Sequence, residues 1–159
     1  MAKVILVCGK ICSGKTTYAR QRIEITPAVI LSVDEIMLAV FGQHAGDRHD
    51  EYSRRIQQYL FEKSAELTGT GTDVILDWGF WTRQSRADAR AYYRQRQIAC
   101  EFHYLDISPE TWDFRLRKRN AAVLAGEVSA YYVDDALAAK FAARFEMPER
   151  DEIDVWVRI

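Results

Sequence analysis

A chain of 159 residues, 48% of them hydrophobic and 28% charged, can bury the core of one folded domain, which excludes a disordered polymer and leaves little room for a second domain. The formal net charge of −1 argues against a protein that coats nucleic acid through bulk positive charge, although a local basic groove stays open. Cys8, Cys12 and Cys100 form no C-x-x-C pair and read as reduced thiols, and the first apolar run (residues 4–7) is too short for a secretion signal or a membrane span, so a cytoplasmic protein is expected.

Lys3–Cys8 is a continuous apolar, β-branched run bounded by Gly9, the pattern of a buried parallel strand. A helix over 15–25 follows and stops before Pro27. A second strand is predicted over 28–32, a short helix over 34–41 ended by Gly42, and a polar loop over 43–49. Residues 50–67 carry Tyr52, Ile56, Tyr59, Leu60, Lys63 and Leu67 near helical spacing, and Gly69-Thr70-Gly71 makes a turn. A third strand is expected over 72–77, a helix over 82–97 and a fourth strand over 99–106. Ser108 and Pro109 are a helix start, with Ser as N-cap and Pro at the first helical position, and that helix runs to about 124. An alanine-rich helix over 129–144 and an alternating strand over 153–159 complete the chain. Strands separated by helices imply a three-layer α/β sandwich: a mostly parallel sheet of about five strands with helices on both faces, in a single domain, 1–159. Ligands in such sheets bind beyond the carboxyl ends of the strands, so the residues just after each strand carry the information.

Gly9-Lys10-Ile11-Cys12-Ser13-Gly14-Lys15-Thr16 is G-x-x-x-x-G-K-T in full, set between a predicted strand and a predicted helix. The glycines let the backbone wrap a phosphate with its N–H groups turned inward, and the helix adds the positive end of its dipole. The pattern is that of the phosphate-binding loop (P-loop) of ATP-using proteins. Lys15 should reach the β- and γ-phosphates and Thr16 should ligate Mg²⁺, with Thr17 completing the nucleotide-binding run. The dinucleotide fingerprint G-x-G-x-x-G is absent.

Asp34 follows the second strand and either takes the proton of an attacking hydroxyl or caps the helix that begins there; the two roles can coexist. Glu35 fits the first turn of that helix. Asp77 ends the third strand, where an acidic residue in such a protein holds Mg²⁺ or its waters, or else faces the acceptor. Trp78, Phe80 and Trp81 either line an acceptor site or plug the end of the core. Arg115 and Arg119 share one helix face and suit the charge of a transferring phosphoryl group, or else form a plain basic helix end, with Arg117 and Lys118 in solvent. Arg83 and Arg86, close to Asp77, are candidates to hold an anionic group, whereas Arg90 and Arg94 read as a solvated face. His44, Asp47, His49, Asp50 and Glu51 lack a recognised metal-ligand spacing and read as a mobile loop over the acceptor.

The loop Gly9–Thr16, the segment Ser32-Val33-Asp34-Glu35, Val74-Ile75-Leu76-Asp77-Trp78-Gly79-Phe80-Trp81, then Arg83, Arg86, Tyr104-Leu105-Asp106, Arg115-Leu116-Arg117-Lys118-Arg119-Asn120 and Phe145-Glu146-Met147-Pro148 with Asp151-Glu152 resemble the AAA_33-type small P-loop kinases. That group includes polynucleotide kinase, zeta-toxin and chloramphenicol phosphotransferase-like proteins. The resemblance implies that Asp34 is the acceptor-activating base. It implies that Arg115 and Arg119 belong to a lid, around 112–130, that closes over the phosphates, and that the tail lies near the adenine. The reading is an ATP–Mg²⁺-dependent phosphotransferase acting on a hydroxyl, with a small metabolite or antibiotic ranked ahead of a nucleotide sugar and a polynucleotide 5′-hydroxyl. A nucleotide-binding switch or ATPase module acting on a protein partner is the rival class.

Overall fold

The computed structural model describes residues 1–159. Its centre is a sheet of five parallel strands, β1 (Lys3–Cys8), β2 (Ala28–Ser32), β3 (Asp73–Gly79), β4 (Ala99–Asp106) and β5 (Val155–Arg158), in the order β2-β3-β1-β4-β5. β1 lies in the middle and is hydrogen-bonded on both sides, which explains its unbroken apolar sequence.

The helices cover both faces. Val4, Leu6, Val74, Leu76, Phe102 and Tyr104 point to one face, where α4 (Arg83–Gln95) contributes Ala89 and Tyr93, and α3 (His49–Gly69) contributes Phe61 and Leu67. Ile5, Val7, Ile75 and Leu105 point to the other face and meet Ala19 of α1 (Lys15–Ile25). A third cluster joins α2 (Val33–Phe41) to α3 through Val33, Met37 and Leu60. A fourth, Leu116, Val133 and Ala138, seats α5 (Pro109–Leu124) and α6 (Asp135–Arg144) against Ile11 and Cys12 of the loop after β1. No helix is long and apolar enough to cross a membrane.

β3, α6 and β5 differ from the sequence expectation in ways that contacts distant in sequence help to explain. β3 runs two residues past Asp77, because the β1–β3 register shifts between Val7 and Cys8 so that Cys8 faces Gly79. Gly79 has φ 96, and a Cβ there would stand 2.5 Å from the Trp81 indole nitrogen, so only glycine fits this bend. α6 starts at Asp135, not 129. The Asp134 carboxylate caps it by accepting the Leu137 N–H at 2.7 Å, and the residues before it are irregular, with side chains from elsewhere bonded to their backbone groups. β5 begins only at Val155: the Asp154 N–H donates to the Phe102 carbonyl at 3.0 Å, but the Phe102 N–H goes to the Asp154 carboxylate at 2.7 Å. At Gly46–Arg48 the expected polar loop holds a short 3₁₀ turn.

The arginine stripe on α4 binds the chain's own tail. Arg86 is 2% exposed and donates to Glu152 at 2.9 and 3.3 Å and to the Phe80 carbonyl at 3.0 Å. Arg83 pairs with Glu149, and its backbone N–H donates to Glu146 at 2.6 Å. Arg90, expected in solvent, donates to the Glu152 carbonyl at 2.8 Å and to Asp154 at 2.9 Å. Removing one partner of the buried pair strands the other charge. Arg86→Ala should therefore destabilise the fold by about 3–5 kcal/mol in urea unfolding, with a smaller effect from exposed Arg83→Ala. Equal midpoints for Arg86→Ala and wild type would contradict the buried-pair account.

Candidate active site

The loop 9–14 leaves the carboxyl end of β1 at the point where the chain turns from one side of the sheet to the other, the place where open α/β sheets hold ligands. Gly9 donates its N–H to the Gly79 carbonyl at 3.1 Å, and Ser13 donates to the Lys10 carbonyl at 3.2 Å, so the loop is braced from β3 and from within. Gly14 has φ 96, and a Cβ there would stand 2.8 Å from Arg115 Nη1. Gly14 also precedes a helix whose N-terminus has no side-chain cap and no acidic residue in its first turn. The first N–H groups of α1 are thus left for an anion from outside.

Four side chains converge at this mouth. Lys15 folds back so that Nζ donates to the Lys10 carbonyl at 2.7 Å; burial pushes its pKa down, opposed by the charges of Asp77 and Asp34. Thr16 Oγ1 donates to Asp77 Oδ2 at 2.7 Å, and Asp77 is 4% exposed. Asp34 sits on the rim. Its side chain touches solvent, yet enough protein crowds the carboxyl that desolvation raises its pKa, with Lys15 lowering it, Asp77 raising it and Arg119 lowering it. Asp34 does not cap α2. The Ser32 hydroxyl does, accepting the Glu35 N–H at 3.3 Å, so the Asp34 carboxylate stays available. Glu35 lies in the first turn, as expected.

Arg115 and Arg119 both turn toward this mouth. Arg115 Nη1 donates to the Ser13 carbonyl at 3.1 Å, and Arg119 Nη2 to the Tyr131 carbonyl at 3.0 Å, while Arg119 Nε is buried without a partner. Arg117 and Lys118 are exposed, Arg117 paired with Asp113. Lys10 extends over the rings of Trp112 and Phe145, the Ile11 carbonyl accepts the Trp112 indole N–H at 2.6 Å, and Thr17 is exposed on α1. Cys12 adopts φ 58, a left-handed backbone that is uncommon without glycine. The thiols of Cys8 and Cys12 are pushed up by burial, that of Cys8 to about 11.

The sequence expectation for Arg83 and Arg86 as holders of an outside anion needs correction. Arg86 is buried with its donors committed to Glu152 and Phe80, and Arg83 is held by Glu149 and Glu146. Phe80 is buried and Trp78 packs between Phe61 and Phe80, so these two rings close the core. Trp81 meets Phe141 with ring centroids 4.9 Å apart. The loop residues His44, Asp47, His49, Asp50 and Glu51 do not gather, and no group of three His, Cys, Asp or Glu is placed to hold a metal. Sequence reasoning missed Tyr131, whose ring packs against the start of α2. Tyr131 fell inside a predicted helix, and nothing in its neighbours' spacing marks it. A cavity of about 500 Å³ lies at the opposite end of the sheet, around Met1, Ala28, Val29 and Asp73, and no cationic side chain lines it.

Solved structures share this architecture. A sugar kinase from Janibacter sp. HTCC2649 aligns over 99% of this chain and 86% of its own with 19% identity and a TM-score of 0.65. The Mycobacterium tuberculosis APS kinase, solved with AMPPNP and APS, aligns over 99% and 88% with 17% identity and a TM-score of 0.67. Chaetomium thermophilum Kti12, solved with ADP-AlF3, aligns over 98% and 88% with 17% identity and a TM-score of 0.68. At such identities the likeness establishes the fold, that of the P-loop kinases. No curated protein matches the chain. Residues 4–148 match the AAA_33 family model, an AAA domain, and the chain therefore belongs to that family.

Proposed function

We propose that the chain is an ATP–Mg²⁺-dependent phosphotransferase that moves the γ-phosphoryl group to a hydroxyl of a small acceptor. The observation that carries this reading is the contact of Thr16 with Asp77 at 2.7 Å, with Lys15 and Asp34 beside them, at the mouth of a loop that leads into an uncapped helix. The AMPPNP and ADP-AlF3 in two of the neighbouring structures support a nucleotide at this mouth, and the names sugar kinase and APS kinase support a small acceptor.

The donor set fits Mg²⁺. Thr16 and Asp77 offer one hydroxyl and one carboxylate, both hard oxygens, and Mg²⁺ takes few protein ligands beside phosphates and waters. Held by these two residues, a bound ion would supply positive charge to offset that of the phosphates. The loop N–H groups and the start of α1 hold the phosphates, and Lys15 exchanges the Lys10 carbonyl for phosphate oxygen. Asp34 accepts the acceptor's hydroxyl proton as its oxygen bonds to the γ-phosphorus. The bond from that phosphorus to the bridging oxygen breaks, and ADP leaves with the electron pair. Arg115 and Arg119 offset the charge spread over the transferring group, and residues 112–130 act as the lid that carries them.

Lys15→Ala should abolish turnover. Asp34→Asn should lower transfer of labelled γ-phosphate by roughly 10²–10⁴-fold while ATP affinity holds. Near-normal transfer by Asp34→Asn would remove Asp34 as base, and label released only as free phosphate would favour an ATPase switch. The reaction needs the Asp34 carboxylate, and its folded pKa lies above the ordinary 3.8. Transfer should therefore fall, as pH drops, through a pKa higher than that of a free carboxyl. Arg119 lowers that pKa, so in Arg119→Ala the acid limb should move to still higher pH in a pH–rate profile.

A further inference from the structure

Between α5 and α6 the chain turns at 125–126 and then runs as an irregular strap whose backbone is held by side chains from other segments. Gln43 Nε2 donates to the Ala130 carbonyl at 2.6 Å, and Arg119 Nη2 to the Tyr131 carbonyl at 3.0 Å. Asn120 takes both backbone groups of Val133, donating from Nδ2 to its carbonyl at 2.5 Å and accepting its N–H at 3.0 Å. With the backbone pinned on both sides of it, the Tyr131 ring is laid against the cluster of Val33, Met37 and Leu60, beside the start of α2. The His49 ring meets it edge-on, with centroids 5.6 Å apart at 76°. The hydroxyl at the end of this fixed ring is buried and has no hydrogen-bond partner in the protein. A buried phenol normally finds one.

The residue after Val33 is Asp34, and the charge of its carboxylate, after burial, helps push the Tyr131 hydroxyl's pKa up. The phenol therefore stays protonated and neutral while Asp34 is ionised. A buried hydroxyl without a partner thus stands against the start of α2, next to the residue whose carboxylate does not cap that helix. An acceptor with a single hydroxyl would satisfy Asp34 and leave the phenol unpaired.

We propose that Tyr131 is an acceptor-binding residue, and that the substrates are small polyhydroxylated molecules whose attacking hydroxyl meets Asp34 while a neighbouring hydroxyl pairs with the Tyr131 hydroxyl. This inference rests on the phosphotransferase reading and adds the substrate class to it. The second hydroxyl undergoes no bond change; its part is to fix the angle at which the first approaches the γ-phosphorus. A site built to hydrogen-bond a substrate hydroxyl rejects an analogue that lacks it, because its own polar group is then left unpaired.

The test is transfer of labelled γ-phosphate from ATP–Mg²⁺ to short polyols and sugars, to their monodeoxy counterparts, and to 5′-hydroxyl oligonucleotides. Tyr131→Phe is used beside wild type because it removes one oxygen and keeps the ring that packs on Val33 and Met37. Wild type should prefer a polyol to its monodeoxy analogue by on the order of 100-fold in kcat/KM. Tyr131→Phe should lower the polyol value by about 10–100-fold and bring polyol and analogue to similar values, with unchanged affinity for a non-hydrolysable ATP analogue. The wild-type ratio reads the same property without any substitution. Polyol transfer that is lost in Asp34→Asn and untouched by Tyr131→Phe would overturn the role of Tyr131 and leave the phosphotransferase standing. Transfer to oligonucleotides alone would overturn the polyol class and likewise spare the reaction type. Free phosphate as the sole labelled product with every acceptor would overturn the phosphotransferase reading itself.

Discussion

The pairing of β1 with β3 is the constraint on which the site depends. The strands run in register from Val4 opposite Val74 to Val7 opposite Asp77, and then slip by one residue so that Cys8 faces Gly79. That slip lets β3 continue past Asp77, and the Gly79 carbonyl then holds the Gly9 N–H at the first residue of the loop. The same register sets Asp77 beside Thr16, one residue into α1. A hydroxyl from one connection and a carboxylate from another strand meet at 2.7 Å because two backbones are bonded along most of their length.

Around that pair the charges balance only in part. Asp77 is buried, and the nearby cation is Lys15, whose own ammonium is disfavoured by burial and sustained by Asp77 and Asp34. Desolvation raises the pKa of Asp34, against the opposing charge of Lys15, with Asp77 adding to the rise and Arg119 opposing it, and the carboxyl ends above its ordinary value. Lys15 and Arg115 spend donors on carbonyls of the loop itself, and Arg119 on a carbonyl of the strap. Each of these bonds is of the modest kind that a phosphate, with more charge and more oxygen atoms, can replace. The polypeptide holds its cations close to where the proposed nucleotide would need them, and so limits the reorganisation that binding requires.

The tail is settled by a different set of charges. Arg83, Arg86 and Arg90 point from α4 to the acidic tail, and Arg86 is the member that burial makes decisive. Through Glu152 and Asp154 this helix fixes the approach of β5 to β4, where Arg150 also lies over the Trp156 ring at 4.1 Å. A helix face that looks ready for an outside anion is already satisfied from within.

The sequence alone determined the elements whose signals are local. The apolar run of β1, the glycines and lysine of the loop, Pro27 after α1, and Ser108 with Pro109 at the start of α5 each restrict the backbone within a few residues, so the parallel sheet and the glycine-bounded turn from β1 into α1 could be read directly. The carboxylates just after β2 and near the end of β3 and the arginine pair on α5 were legible for the same reason, as positions at strand ends or on one helix face. Only the tertiary structure decided the rest. Which residue caps α2, which acid claims Arg86, and where the strap over Tyr131 leaves helical form depend on partners distant in sequence, from Ser32 beside a strand end to Glu152 in the tail. A propensity describes what a backbone prefers in isolation. A side chain that takes a distant carbonyl or N–H overrules that preference, and spacing along the chain carries no record of it.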